Sequence, residues 1–519
     1  MVSMKNLRTR LLTIRPLRSD LFPWAVALSV GLDYFDNTMF PFFNSYIAGG
    51  INVPPDEMVW SSSAYAVASV LGIVHQQWFV ERIGYRRYLT ICLLMFSIGS
   101  LAVSLSSTSF EVAMARGFQA YFIGPMLGTC RILIQTGFSP AYRPSATRLF
   151  LLVILLASAS APLIGGFLIA YFDWHALFIC TTIAGIVLAT FSFLVVPHIG
   201  ICKETMRSDM HLLPYLLFAL SLGALQIVAQ QVRFELLGSS PVLVMLMATG
   251  LLALGWVAWQ QWSHPKPLVR LNALREGVFR TAIILYAFYY YVTNAIGYLI
   301  SRFMDAGLGY PVEFVGTLVG LTSLSSVGMA ILYFRYAKYV NEKKWLIVPG
   351  FLMATFIAVW FYHLSPGVSA PWLLPPLIVR GFLLMFIALP SGGVAWKIFS
   401  DHEFTHGYRL KNIVKQLAYS LSTASMIIFE QHRLAVHQTR LVEFATPYNP
   451  IFASTLEAMT SAFATQGYTA TQAGRMALEA LTRLTVHQAF FMSVLDCFYI
   501  VSAVSLLGAA IALIQRHVK

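Results

Sequence analysis

The chain has 519 residues, of which 58% are hydrophobic and 11% are charged, and its mean hydropathy is +0.69. Because soluble domains carry about 25% charged residues, this composition excludes an ordinary soluble protein and indicates a polytopic membrane protein. A net charge of +13 would suggest a nucleic-acid partner in a soluble protein. Here the basic residues are spread between apolar segments, as topology determinants are, so we expect a lipid bilayer and no nucleic acid.

Two classes of functional site are excluded by the residues present. The five cysteines are odd in number and show no paired spacing, so neither a disulfide framework nor a zinc site is predicted. The sequence contains no H-E-x-x-H, phosphate-loop or serine-elbow motif. We therefore expect neither an enzyme nor an ATP-driven pump, and no metal or cofactor.

The apolar segments predict an all-α membrane protein with fourteen spans, since a span needs about 20 mainly apolar residues. The spans are predicted near 22–47, 59–80, 88–106, 110–136, 148–171, 174–197, 211–230, 240–261, 279–303, 312–334, 345–363, 371–397, 411–433 and 488–514. We expect a six-span bundle in 1–200, two additional spans with linkers in 201–275, and a second six-span bundle in 276–519.

The distribution of Lys and Arg agrees with this topology. A basic segment precedes the first span, and the predicted inner loops hold most of the other basic residues, including Arg82, Arg86, Arg409 and Lys411. Short outer loops hold almost none. Because basic residues favour the cytoplasmic side, both termini are predicted to lie in the cytoplasm.

One predicted outer segment, residues 431–487, is much longer than the others. It contains the turn-rich stretch 446–450 and a helical pattern near 471–484. Because a structureless loop of this length is unusual in a compact protein, we expect it to have a structure of its own. It either covers the outer end of a cavity or docks a partner.

A short pattern recurs at equivalent places in the two six-span sets. Arg116-Gly117-Phe118 lies in the fourth span of the first set, and Arg380-Gly381-Phe382 lies in the fourth span of the second. Their equivalent placement predicts two structurally related halves, as in transporters whose halves rock about a central site.

Charged residues inside the spans are the first candidates for function. Asp33 and Asp36 lie on one face of the first span. At about 1.5 Å per residue, Asp36 and Arg116 both lie about 9 Å from the outer boundary of the membrane core. Charges at this depth normally face a wet cavity or an opposite charge. Asp36, Arg116 and Asp33 are therefore proton-coupling candidates, and the alternative is that Asp36 and Arg116 form a static pair between helices.

A second group is predicted to line a substrate cavity. Tyr286, Tyr290 and Asn294 recur at four-residue intervals on the ninth span, and aromatic side chains with polar tips suit amphipathic ligands. Packing or lipid contact is the alternative. Arg380 is the second-half counterpart of Arg116, and Asp496 lies at a depth that would allow the two to pair.

Three motifs have a matching pattern in a known family. Residues 35–38, Phe-Asp-Asn-Thr, resemble its first-span Leu-Asp-x-Thr. Residues 77–87 resemble its signature loop: Arg82, Gly84 and Arg86 are retained, Glu81 replaces the usual Asp, and the first Gly is lost.

The third motif lies in the fifth span. Pro162, Gly165 and Gly166 match Gly-x-x-x-Gly-Pro-x-x-Gly-Gly, with Ala157 and Ala161 in place of its first glycines. Small residues allow helices to approach closely, and proline bends them. This ordered set resembles the fourteen-span drug:proton antiporter branch of the major facilitator superfamily, especially the EmrB-type exporters, over essentially the whole chain.

The resemblance implies a major facilitator fold and proton-coupled export of amphipathic small molecules across the inner membrane by alternating access. It also implies proton coupling at Arg116, gating at the signature loop, and a periplasmic membrane-fusion adaptor with an outer-membrane channel. Two alternatives stay open: a dedicated exporter of one metabolite, such as a siderophore or fatty acid, and a non-transporting membrane scaffold or sensor.

Overall fold

The computed structural model describes residues 4–54, 57–201, 212–231, 240–264, 271–340, 342–395 and 401–515. All regular elements in these ranges are helical, as the apolar pattern predicts. Parts of the linkers predicted in 201–275, namely 202–211, 232–239 and 265–270, lie outside the described residues.

The first half of the fold, residues 4–195, forms seven α-helices that correspond to the first six predicted spans. They are α1 (Met4–Phe42), α2 (Asn44–Gly50), α3 (Val59–Ser104), α4 (Ser109–Ile123), α5 (Met126–Gly137), α6 (Arg143–Tyr171) and α7 (His175–Val195). Helix α3 contains two predicted spans, which meet at Gly84, where φ is 78° and the helix is interrupted. Because this backbone conformation favours glycine, Gly84 allows the chain to reverse direction there.

Two helices, α8 (Leu212–Gln231) and α9 (Pro241–Ser263), correspond to the additional spans. The second half then contains α10 (Gly277–Arg302), α11 (Val312–Ser323), α12 (Ser325–Tyr336), α13 (Lys344–Tyr362), α14 (Leu374–Arg380), α15 (Leu389–Ala395), α16 (Asp401–Glu443), α17 (Pro450–Thr465) and α18 (Ala470–Ile514). Short π-helical turns lie at Phe303–Gly307 and Leu384–Ala388, and 3₁₀ turns lie at Leu271–Arg275, Ala337–Tyr339 and Ala370–Leu373.

Within the described ranges, ten helical segments are long and apolar enough to cross a membrane. One of them, Trp60–Ser104, includes both spans on either side of Gly84. The all-α membrane architecture is therefore confirmed, whereas the count of fourteen spans stays a prediction.

The largest clusters of buried apolar side chains are separate. One consists of side chains of α1 and α3–α7 together with Tyr408 of α16, and the other lies among α10, α11, α13, α14, α16 and α18. Each half therefore has a largely separate core, and Tyr408 of the second half packs against the core of the first.

Helix α16 begins at Asp401, earlier than the predicted start near residue 411. The prediction that Arg409 and Lys411 lie in an inner loop is therefore wrong. Both lie within the helix, with side chains only 5% and 6% exposed. Their charges suggested a loop because basic residues usually mark the cytoplasmic boundary, but here they are buried between helices.

The long segment 431–487, which is predicted to lie on the outer side, is helical, as expected. Helix α16 continues to Glu443, α17 follows as a separate helix, and α18 begins at Ala470. We call residues 431–487 the outer hairpin. Helix α17 packs against α18 but contains no buried residue, so most of its surface remains exposed.

Candidate functional site

The two charges predicted at matching depth form a buried ion pair. Nη1 of Arg116 donates to both carboxylate oxygens of Asp36, each at 2.8 Å. The side chain of Asp36 is fully buried and that of Arg116 is 2% exposed. The pair joins α1 to α4 inside the first half.

Gln119 completes this network one turn further along α4. Its Nε2 donates to Asp36 Oδ1 at 3.1 Å and to Ser100 Oγ at 2.7 Å, and its Oε1 accepts from Arg116. The guanidinium carbon of Arg116 also lies 4.2 Å from the ring centroid of Phe40 and 4.4 Å from that of Tyr65. Aromatic faces attract cations, so these rings stabilise the charge where water is scarce.

Asp33 has a different environment from Asp36. Its side chain is buried, and its Oδ1 accepts a hydrogen bond from Asn37 Nδ2 at 2.6 Å. The charge of Lys415 on α16 acts on Asp33 electrostatically. Asp33 therefore lies near a cation of the opposite half, whereas Asp36 pairs within its own half.

A cavity of about 330 Å³ lies between the halves and has Arg116 in its wall. A volume of this size suits a small organic ligand. Its lining combines polar groups with the aromatic side chains of Tyr34, Phe40, Phe42, Tyr65, Tyr289, Tyr298 and Tyr419. The two aspartates lie behind this wall, because Asn37 and Arg116 line the cavity and Asp33 and Asp36 do not.

Two of the predicted cavity residues line it and two do not. Asn294 and Arg380 are part of the wall, and Asn294 Nδ2 donates to Thr423 Oγ1 at 2.9 Å. Tyr286 and Tyr290 are buried outside the lining, and their ring centroids lie 5.2 and 5.5 Å from Nζ of Lys411. An α-helix has 3.6 residues per turn, so each four-residue step drifts by about 40°, and Tyr286 lies about 80° around the helix from Asn294. Tyr290 instead packs behind the wall against Tyr419, with ring centroids 5.6 Å apart.

The predicted pairing of Arg380 with Asp496 is not formed. Asp496 Oδ2 instead accepts from Arg433 Nε at 2.6 Å and lies 2.7 Å from His437 Nε2. These contacts join α16 to α18 inside the second half. Matching depth alone could not distinguish Arg433 from Arg380 as the partner of Asp496, because depth does not specify which helices are neighbours.

Sequence reasoning missed a contact between the first additional helix and both halves. Gln226 on α8 lines the cavity, donates from Nε2 to Ser63 Oγ at 2.9 Å, and accepts at Oε1 from Ser420 Oγ at 2.6 Å. A glutamine within an apolar span was the available signal. The additional helix is therefore part of the cavity wall.

Lys415 was also missed. It lines the cavity with its side chain only 3% exposed, and its Nζ lies 4.5 Å from the ring centroid of Tyr34 and 5.6 Å from that of Tyr419. It lies one helical turn beyond Lys411, inside the predicted span. That position within an apolar segment was the signal that could have identified it.

The signature loop packs against the chain that follows α7. After Gly84, the Tyr85 amide donates to the Ile199 carbonyl at 2.9 Å, and Arg86 Nη1 lies 2.8 Å from His198 Nε2. Arg82 Nη1 donates to the Trp78 carbonyl at 3.0 Å. The bonds of Tyr85 and Arg86 hold the loop against the chain that follows α7, whereas that of Arg82 lies within α3.

Glu81 connects this loop to the second half. It accepts a hydrogen bond from Gln77 Nε2 at 2.9 Å, and its carboxylate attracts the guanidinium of Arg409 on α16. At the other end of the cavity, Ser301 Oγ donates to the Phe42 carbonyl at 3.1 Å. Polar interactions therefore join the halves on both sides of the cavity.

The fifth-span motif lies where the halves approach most closely. A Cβ atom on Gly166 would lie 3.4 Å from the Val312 carbonyl oxygen, and one on Gly316 would lie 2.5 Å from the Pro162 carbonyl oxygen. Gly165 packs against the ring of Phe43. Small residues are needed because backbone meets backbone between α6 and α11.

Comparison with known proteins agrees with this architecture. "Probable multidrug resistance protein EmrY" of Escherichia coli (strain K12) is 23% identical over 84% of this chain and 86% of its own length. "Multidrug export protein EmrB" of the same strain is 20% identical over 90% of this chain and 91% of its own length.

Among solved structures, a bacterial homolog of the human lysosomal transporter Spinster, in an inward-facing and occupied conformation, is similar in fold. Its TM-score is 0.62 with 13% identity, over 97% of this chain and 98% of that one. The sequence profile described as the Major Facilitator Superfamily matches residues 26–423. The chain therefore belongs to the Major Facilitator Superfamily.

Proposed function

We propose that this protein is a proton-coupled exporter of amphipathic small molecules that works by alternating access. The main support is the buried Asp36–Arg116 pair beside a cavity between two separately packed halves. An intramembrane acid paired with a cation suits proton loading and release, because the pair separates when the acid is protonated. The names of the E. coli relatives support drug-like molecules as substrates.

Asp36, Arg116 and Asp33 are assigned to proton coupling in this proposal. Asn294 and Arg380 contact the substrate. The signature-loop residues Glu81, Arg82, Gly84 and Arg86 stabilise the inner contact, and Pro162, Gly165 and Gly166 form the surface against which the halves move. Such a protein is a transporter rather than an enzyme.

Flux measurements in vesicles test this proposal. The purified chain would be reconstituted with a pH-sensitive dye inside, and proton movement would be recorded when members of an amphiphile panel are added. We expect substrate-dependent proton flux that Asp36→Asn abolishes. Lack of flux with every compound, despite correct insertion, would favour the scaffold or sensor alternative. Flux with one compound only would favour a dedicated exporter of a metabolite such as a siderophore or fatty acid.

The proposed location is the cytoplasmic membrane, with both termini in the cytoplasm. Reporter fusions after Arg87 and Lys344 should report the cytoplasm, and one between Glu457 and Gly467 should report the outside. A cytoplasmic signal from the last fusion would contradict both the orientation and the fourteen-span count.

We also propose that the outer hairpin docks a periplasmic membrane-fusion adaptor, which would connect the exporter to an outer-membrane channel. None of the described residues that line the cavity belongs to the hairpin, which argues against the alternative that it covers the cavity. Its exposed apolar residues include Phe444 (66%), Tyr448 (96%) and Ile451 (76%). Exposed apolar surface of this kind suits a protein partner.

A further inference from the structure

The cavity wall carries positive charge without a matching negative charge. Four lining side chains are cationic: Arg116, Arg302, Arg380 and Lys415. None of the described lining residues is Asp or Glu. A charge at membrane depth is unfavourable unless it is paired or faces a polar cavity, so the partners of these four cations indicate what the cavity is suited to bind.

Two of the four cations are neutralised from behind the wall. Arg116 pairs with Asp36, as described above. Arg302 Nη2 donates to Glu430 Oε1 at 2.7 Å, and Tyr298 donates to the other oxygen of Glu430 at 3.3 Å. These two cations have carboxylate partners within the protein.

Arg380 and Lys415 have no such partner. In the part of the chain that the structure describes, neither forms an ion pair with an acid. Asp33 acts on Lys415 only from a greater distance. Its hydrogen bond from the neutral Asn37 leaves its charge in place, so Asp33 offsets part of the positive charge but does not pair with either cation. Arg380 interacts with the tyrosine Tyr289. Aromatic rings attract and stabilise a nearby cation, but they do not neutralise its charge.

The groups around these two cations suit the rest of an amphiphile. Tyr289 and Tyr419 provide aromatic surface in the same wall, and Asn294 provides a polar side chain that donates to the Tyr419 carbonyl at 3.1 Å. We propose that the cavity binds amphiphiles with a carboxylate head group, which Lys415 and Arg380 hold while the apolar part packs against the tyrosines. This inference rests on the proposed function and names its substrate class.

The carboxylate site and the proton-coupling pair consist of different groups. The substrate carboxylate would bind Lys415 and Arg380 on α16 and α14, whereas Asp36 and Arg116 form their pair on α1 and α4. Substrate and proton therefore bind different side chains, although Asp33, which is also assigned to proton coupling, acts electrostatically on Lys415. Equilibrium binding can be measured at a fixed pH without a proton gradient.

Binding of three matched naphthyl compounds to the purified full chain tests the inference. The probes are 1-naphthylacetate, 2-(1-naphthyl)ethanol and 2-(1-naphthyl)ethylammonium, which share a ring and differ in charge. Calorimetric titration in a neutral detergent should show the carboxylate binding most tightly. Lys415→Gln and Arg380→Gln should each weaken its binding about tenfold or more, because each removes a charge-assisted hydrogen bond.

Three controls separate this result from loss of fold. Lys415→Arg keeps the charge and should retain most of the affinity. Arg475→Gln, at an exposed position on the outer hairpin, should change nothing. The neutral alcohol should bind all folded variants with similar affinity. The inference is overturned if the ammonium compound binds as tightly as the carboxylate, or if the Lys415→Gln, Arg380→Gln double variant still binds naphthylacetate normally.

A lipid head group is the other source of a negative charge at this depth. Binding should therefore be repeated in phosphatidylcholine vesicles with and without phosphatidylglycerol. Unchanged naphthylacetate affinity supports a substrate site, whereas its loss with phosphatidylglycerol would mean that the site belongs to lipid. If the carboxylate preference holds but a pH gradient drives no flux, the proposed function fails and this inference stands. If the vesicles show proton-driven flux of cationic compounds alone, the proposed function stands and this inference fails.

Discussion

Arg116 contacts Asp36 through one nitrogen, with Nη1 at 2.8 Å from both carboxylate oxygens. The usual strong arrangement of arginine and carboxylate uses two nitrogens in parallel. Here Nε of Arg116 is buried without a hydrogen-bond partner, and Gln119 accepts from the same Nη1. We infer that the pair separates more readily than a two-pronged one when Asp36 takes up a proton.

The first prediction distinguishes a coupling pair from a static one. Asp36→Asn should lower stability by about 3–5 kcal/mol, because it leaves a buried cation without its partner. Adding Arg116→Gln should recover part of that stability, measured by thermal unfolding in detergent. Proton-driven transport in vesicles should stay lost in both variants. Recovery of transport in the double variant would show that the pair only holds the helices together.

Helix positions and the Asp36–Arg116 contact could be predicted from the sequence because both depend on distance along a helix. Apolar length indicates where a span lies, and a rise of about 1.5 Å per residue converts position into depth. Burial of Lys411 could not be predicted in this way, since the charge-sidedness rule assigns a basic residue near a span end to a loop.

Contacts between helices that are distant in sequence could not be predicted. Gln226 reaches Ser63 and Ser420 only because α8 packs beside both halves, and no periodicity within α8 specifies that arrangement. The assignment of Tyr286 to the cavity failed for a related reason. A stripe indicates which residues share a face, but the packing of neighbouring helices decides what that face meets.

The second prediction concerns Gln226. Gln226→Leu removes two hydrogen bonds that link α8 to both halves, each worth about 1 kcal/mol, so the halves should separate more easily. Cysteines introduced into the cavity wall should then react faster with a water-soluble maleimide than in the parent. Thr249→Val is the matched control, because the Thr249 hydroxyl is exposed and bonds only within its own helix. Equal labelling rates in all three proteins would contradict a bridging role for Gln226.

The third prediction concerns the inner contact between Glu81 and Arg409. The two charges attract each other across the halves, so a double-mutant cycle with Glu81→Gln and Arg409→Gln should give a coupling free energy of about 1 kcal/mol or more. The exposed pair Glu342–Lys344, with its atoms 2.9 Å apart, should give less because water screens it. Unfolding midpoints in detergent provide the comparison. A coupling free energy no larger than that of the exposed pair would show that Glu81 does not stabilise the contact between the halves.

The fourth prediction uses two glycines in the tenth predicted span. A Cβ on Gly316 would lie 2.5 Å from the Pro162 carbonyl oxygen, whereas one on Gly328 meets nothing within 4 Å. Gly328→Ala should be neutral or stabilising by about 0.5–1 kcal/mol, since alanine favours the helix. Gly316→Ala should destabilise and slow transport, because α6 and α11 must move apart. If both variants have the same unfolding temperature and flux, α6 and α11 do not pack as tightly as the structure indicates.

The last prediction concerns the outer hairpin and its proposed adaptor. Replacing residues 440–480 by a short Gly/Ser bridge removes α17 and the exposed ends of α16 and α18. If the hairpin serves only to dock an adaptor, flux in vesicles should survive because the cavity contains none of its described residues. Export by whole cells should fail, and the adaptor should no longer co-purify. Tyr448→Ser with Ile451→Ser tests the same surface without removing a helix, since both side chains are exposed. Loss of vesicle flux in the folded double variant would instead make the hairpin part of the transporter's own gate.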